Sequence, residues 1–181
     1  LQKAEGGAKQ VLTAPLSFGS TPLYHDIANA QQFKDVMTKY GQNYENFRIT
    51  GEIDLNQVSD VPLNLKINRL VGAGSGHTIS NLSYQIQSQG QSLFQVLTGT
   101  MENLTFKDMT VTSASSSTVS GGENVGLISI NQGEIRNTSF ENIAITAPSR
   151  SQKTGLIGTN MGTVKNVNLK DVRIYDTIED A

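Results

Sequence analysis

The chain has no cysteine and no tryptophan. Without thiols it can hold no disulfide framework, no thiolate metal site and no cysteine nucleophile. The missing thiols do not fix a compartment, because proteins in both redox environments do without them. An excess of one charge is missing too. Fourteen Lys and Arg stand against 16 Asp and Glu, a formal net charge of -2. General nucleic-acid or anionic-membrane binding needs a basic surface, so neither is expected. No apolar run approaches the ~20 residues of a membrane span. The first residue is Leu and the first ten residues carry no signal-peptide pattern, so the chain reads as an excised or processed segment.

What is present is small and polar. Ser, Thr and Asn make up 49 of 181 residues, and Gly adds 17. A helical bundle would want more Ala, Leu, Glu and Lys. A disordered chain would lack the Ile, Val, Leu and Phe that recur here at regular points. The composition suits many short strands joined by turns.

Residues 1–22 have no period and read as an extended lead. Residues 26–40 carry a helix signal: Asp26 is the expected N-cap, and Ile27, Ala30, Phe33, Val36, Met37 and Tyr40 follow a 3.6-residue period. Gly41 is the expected glycine just past the helix end. From Phe47 to Leu55 the apolar positions alternate, which reads as a strand.

The remainder repeats itself. With Asn81, Asn103, Asn137 and Asn166 in one column, Leu93, Leu127 and Leu156 lie ten residues before the last three. Gly99, Gly133 and Gly162 lie four before, and Asp108, Asn142 and Asp171 lie five after. Tyr84, Phe106, Phe140 and Leu169 lie three after the four Asn, with apolar pairs such as Ile143 and Ile145 further on. The length differences fall into residues 113–123 and 147–153, as insertions at one edge of a stacked architecture do. Apolar parity shifts twice in each copy, which marks bends. Asn and Asp best tolerate the left-handed backbone that a bend needs. Outward charges support the register: Glu102, Arg136 and Lys165 form one column, and Lys107, Glu141 and Lys170 another.

The expected fold is therefore all-β: a right-handed parallel β-helix of about four coils, with three short strands per coil. The N-terminal helix would cap its first, otherwise open, strand edge. Three regions are expected: the lead at 1–22, the capping helix and first strand at 23–58, and the repeats at 59–181. The repeat is still running at 171–174, so continuation of the parent protein is expected.

Four segments carry a resemblance: Phe47-Arg-Ile-Thr-Gly-Glu-Ile-Asp-Leu55, Gly76-His-Thr-Ile-Ser-Asn-Leu82, Val125-Gly-Leu-Ile128 and Gly155-Leu-Ile-Gly-Thr-Asn-Met-Gly-Thr-Val164. They resemble the repeats of bacterial GLUG-type β-helical surface proteins. They are also similar to the noncatalytic β-helical region of streptococcal immunoglobulin A1 proteases and related zinc metalloproteases. The resemblance implies an extracellular, secreted or wall-anchored bacterial origin and a host protein partner, immunoglobulin A. It also implies a zinc centre in a separate domain with a His-Glu-x-x-His helix. That motif is absent here, so no catalytic, cofactor or metal residue is carried over.

The chemistry-bearing residues have structural readings beside functional ones. His25 and His77 are 52 residues apart with no metal-ligand spacing. Glu102, Asp108, Glu141 and Asp171 are the candidates for carboxylate catalysis, which in glycoside hydrolysis needs two carboxyl groups ~5–9.5 Å apart. Asp108 and Asp171 share a bend column with Asn142, however, and Glu102 and Glu141 sit in charge columns. Glu52 and Asp54 are a candidate calcium pair on a solvated strand face. The Asn column reads as an internal side-chain ladder. Its matches to the glycosylation sequon at Asn81, Asn103 and Asn137 are bend residues first. A host glycan is the alternative partner, and a carbohydrate-active enzyme the alternative activity.

Overall fold

The computed structural model describes residues 22–86, 92–113, 124–148 and 153–177. Most of the expected lead and most of both insertions lie outside these residues. The described chain is mostly β, a sheet of mainly parallel strands with one helix. In chain order it runs β1 (His25–Ile27), α1 (Ala30–Tyr40), β2 (Glu45–Ile49), β3 (Ile53–Asp54), a single 3-10 turn (Leu55–Gln57), β4 (Leu65–Gly72) and β5 (His77–Ile86). Then come β6 (Phe94–Ser113), β7 (Asn124–Val125), β8 (Ile128–Asn131), β9 (Glu134–Pro148), β10 (Lys153–Thr154), β11 (Ile157–Asn160) and β12 (Thr163–Thr177).

Each pass of chain lies parallel to the one before, in a register that stacks like on like. Phe47 pairs with Leu70, Leu70 with Met101, Met101 with Ile135 and Ile135 with Val164. One bend further on, Ile53, Ile79, Phe106, Phe140 and Leu169 form a second column. The rings of Phe106 and Phe140 stack with centroids 5.4 Å apart and planes 13° from parallel. Both are buried, and burying one such side chain stabilises by about 1.5–3 kcal/mol. The core is one continuous cluster from Ile27 and Phe33 to Ile145.

The bends lie where parity predicts them. Asn103, Asn137 and Asn166 have φ of 55, 48 and 50°, and Asp108, Asn142 and Asp171 have 53, 51 and 52°. Each is left-handed backbone, which Asn and Asp adopt at least cost among residues with a side chain. The glycine column has a different cause, close approach of backbone to backbone. A Cβ on Gly133 would lie 1.9 Å from the Gly99 carbonyl oxygen, and one on Gly162 would lie 2.0 Å from that of Gly133.

Several expectations are corrected. Asn29, not Asp26, caps α1, its side chain accepting from the Gln32 amide at 2.9 Å. Asp26 and Ile27 belong instead to β1, where Ile27 pairs with Ile49 and Asp26 grips Arg48 through two hydrogen bonds of 2.7 and 2.8 Å. Pairing with β2 outweighs the helical period at those positions. Gly41 ends the helix with φ -66° rather than left-handed. Its lack of a side chain matters for space, since a Cβ would meet the Met37 carbonyl oxygen at 2.5 Å. The strand expected over 47–55 is β2 and β3 with an interruption at 50–52, ending in the 3-10 turn. Strand β4 carries no expectation from the sequence.

Asn81 belongs to a different column from the one expected. Ser80 pairs with Lys107 and Leu82 with Met109, so Asn81 stacks beside Asp108, in the second bend column. Gly76, with φ 106°, takes the first bend, and His77 pairs with Leu104. The Asn column does form a side-chain bond from pass to pass, Asn166 Nδ2 donating to Asn137 Oδ1 at 3.3 Å, but it is not internal: both residues are exposed. The buried amide bond lies at Asn131, which donates to Asn160 Oδ1 at 2.7 Å and accepts from the Gly133 amide at 3.1 Å.

Tyr84 fastens neighbouring passes. Its buried hydroxyl donates to the Gly126 carbonyl at 2.9 Å and accepts from the Leu93 amide at 3.1 Å. Burial pushes this phenol far above its ordinary value, so it stays neutral and able to donate.

Candidate functional site

The outer wall between the first and second bends carries a shallow groove of about 340 Å³. Ser75, Gly76, His77 and Thr78 line it from one pass, Asn103, Leu104 and Thr105 from the next, and Asn137 and Ser139 from the third. Parallel register places these side chains in rows. Thr78 pairs with Thr105, and Thr105 with Ser139. Alternation turns them outward while Ile79, Phe106 and Phe140 turn in. The lining offers hydroxyl and amide groups, with His77 the one ionisable side chain among its residues.

Glu52 anchors this edge. One carboxylate oxygen lies 3.2 Å from His77 Nδ1 and the other accepts from the Thr78 amide at 3.0 Å. Burial pushes its carboxyl up, but the bonds from Thr78 and His77 outweigh that and hold it below the usual carboxylate range. Asp54 accepts from Asn81 Nδ2 at 2.8 Å and the Asn56 amide at 3.1 Å. Those bonds, that of Asn81 foremost, hold its carboxyl low as well. Both members of the candidate calcium pair are thus engaged with protein donors. Among the described residues no three His, Asp or Glu side chains converge as a metal site.

His25 lies apart from this groove, stacked on Tyr40 with ring centroids 4.1 Å apart and 3.9 Å from Glu45. Two of the four catalytic candidates accept hydrogen bonds from the next pass. Glu102 Oε2 accepts from Arg136 Nε at 2.5 Å. Asp108 Oδ1 accepts from Asn142 Nδ2 at 2.7 Å. Glu141 stands in register with Lys107 on one side and Lys170 on the other, while Asp171 sits at a bend.

Two side-chain contacts escaped the sequence columns. Glu134 binds Arg136 at 3.5 Å and pairs closely with Lys165, extending the Glu102–Arg136 pair into a four-member row. Its carboxyl is held low, by Lys165 above all. The signal was available at the position three before each bend Asn, where Thr100, Glu134 and Thr163 align. The Glu52–His77 contact was hidden by the misplaced Asn81.

The chain matches no family model, no curated protein and no solved structure. No described helix is long and apolar enough to cross a membrane.

Proposed function

We propose that this chain is a noncatalytic right-handed parallel β-helix of about four coils, serving as a substrate-recognition or structural segment. Its parent would be a secreted or wall-anchored bacterial surface protein, resembling immunoglobulin A1 protease-like zinc metalloproteases. The partner is a host protein, the heavy chain of immunoglobulin A, and zinc belongs to a separate catalytic domain of the parent. Parallel stacking with aligned bends supports the winding. The sequence segments quoted above support the parentage.

One observation carries the noncatalytic reading. Two of the four candidate acids hold passes together, Glu102 through Arg136 and Asp108 through Asn142. A general acid must give up its proton and a base must take one; Glu102 and Asp108 serve here as acceptors of bonds that run from pass to pass. The rows of Thr78, Thr105, Asn103, Asn137 and Ser139 form a preset recognition surface on a stiff support.

The test is binding of immobilised immunoglobulin A1 heavy chain by the purified chain. Binding that falls at least about tenfold in Thr105→Lys or Asn137→Lys, with unchanged circular dichroism, supports the reading. Polysaccharide cleavage by the chain, abolished by Glu102→Gln or Asp108→Asn, overturns it. The hydroxyl and amide lining of the groove favours a second reading, an adhesin module for a host glycan. Glycan-array binding lost in Asn137→Lys, without immunoglobulin binding, selects that alternative. A His-Glu-x-x-His segment elsewhere in the parent polypeptide favours the protease.

A further inference from the structure

The groove holds polar groups that the scaffold does not use. Asn137 Oδ1 accepts from Asn166 Nδ2 at 3.3 Å, which leaves the Asn137 amide nitrogen to donate. Among the described residues the Asn103 amide and the hydroxyls of Thr105 and Ser139 have no protein partner. Such groups both give and take hydrogen bonds, as the hydroxyls of a sugar do. Leu104, the one aliphatic side chain of the lining, is 2% exposed, so a docked peptide finds no apolar anchor there.

His77 adds the one group whose charge changes. An ionised carboxylate only accepts, so Nδ1, 3.2 Å from Glu52 Oε1, carries the hydrogen of the neutral ring. The lone pair is then on Nε2, which has no partner among the described residues. Protonation replaces that lone pair by an N–H and adds a positive charge, a change that imidazole makes between about pH 5 and 8. Few charges compete with it. Glu52, whose carboxyl lies below the usual carboxylate range, faces the ring from the segment before β3. On the other side β6 brings Asn103, Leu104 and Thr105, which do not titrate. Further along β6, Glu102 is bonded to Arg136, and Lys107 stands beside Ser80. The other ionisable side chain of β5, Tyr84, is buried.

Taking the groove as the recognition surface, we propose that it binds a carboxylate-bearing saccharide in mildly acidic solution, the ligand's carboxylate accepting from His77 Nε2–H while its hydroxyls meet Thr105, Ser139 and Asn137. The imidazolium is then held between two carboxylates, that of Glu52 and that of the ligand. As pH rises the ring loses its proton. The Nε2 lone pair and the Glu52 charge then repel the ligand carboxylate, and the acidic saccharide is released. A neutral saccharide stays, because Nε2 accepts from a sugar hydroxyl.

The probes are tri-galacturonate and its methyl ester, which keeps the rings and loses the charge, titrated calorimetrically into the full 181-residue chain. At pH 5 the acid should bind at least about tenfold tighter than the ester, as one charge-assisted bond allows, and at pH 8 the preference should be gone. Binding and protonation are reciprocal, so the acid should take up protons as it binds near neutral pH, read from the heats in buffers of different ionisation enthalpy. His77→Gln, checked for folding by circular dichroism, should bind acid and ester alike at both pH values. His25→Gln, remote from the groove, should keep the switch. Amide shifts at Thr78, Thr105 and Ser139 should mark the bound saccharide. Equal affinity for acid and ester at pH 5, or a preference that survives His77→Gln, overturns the inference and leaves the groove reading standing. Tri-glutamate binding as tightly as tri-galacturonate overturns the commitment to a saccharide. No binding of either saccharide also overturns the inference; the groove reading falls separately, if neither immunoglobulin nor glycan binding responds to Thr105→Lys.

Discussion

The two ends of the stack handle the same physical problem differently. At one end the outermost strand, β1, is three residues long, and α1 packs over the pass beneath it. Ala30, Phe33 and Met37 enter the core with at most 2% exposure. At the other end β12 runs for 15 residues with Val164, Leu169 and Ile174 about half exposed. A parallel sheet has no intrinsic way to stop, because every strand offers its neighbour a new edge. One end shortens the edge and lays an amphipathic helix across it; at the other, among the described residues, β12 is paired on one side alone. Identical columns therefore carry different energetic weight according to whether something lies on both sides.

The sharpest way to break this comparison is to truncate matching core residues at the two ends. Phe33→Ala should destabilise by about 3–5 kcal/mol, as large-to-small changes at fully buried aromatics do. Leu169→Ala should cost about 1 kcal/mol or less, because half of that side chain is already in water. Urea denaturation of the two variants measures both, and similar losses would mean that the β12 end is as tightly covered as the helical one.

Between the ends, Tyr84→Phe tests whether passes are fastened by polar bonds as well as packing. It strands the Leu93 amide and the Gly126 carbonyl, and an unsatisfied buried group costs about 1–3 kcal/mol. A drop in midpoint at constant m-value is expected. Asn142→Ala should cost about 1–2 kcal/mol, since its φ of 51° is left-handed backbone, whereas Asn142→Gly should cost less. Thermal melts distinguish the pair.

The smallest effect is that of acid. Asp26, held low chiefly by Arg48, ties β1 to β2 at the covered end; Glu134, held low chiefly by Lys165, ties β9 to β12 at the other. A depressed folded value stabilises above the unfolded value and is lost as pH falls through the folded one. Stability should hold from neutral pH to about the ordinary carboxylate values of 3.8 and 4.5 and decline below them. In Asp26→Asn that part of the decline should shrink. A melt series from pH 7 to 2 in both proteins reads it.

Much of this architecture was legible because stacking repeats the same demand at each pass. Positions such as Phe106 and Phe140 face one interior, so their spacing showed in the chain, as did the left-handed bends at Asn103 and Asp108. Legibility failed where a residue had two plausible columns. Asn81 suits either bend, and only pairing with β6 assigns it beside Asp108. Asp26 suits a helix cap until β2 offers Ile27 a partner in Ile49. The groove was less visible still. Glu52 and His77 are 25 residues apart, and nothing local links them.

The amino-acid order alone determined alternation and bend chemistry, because each is decided by a residue and its immediate neighbours. Which pass lies against which, which acids become scaffold acceptors and which apolar row is left half in water were decided by tertiary structure. Those outcomes depend on what a strand meets across a gap of about 4.8 Å, and that neighbour is supplied by a distant part of the chain.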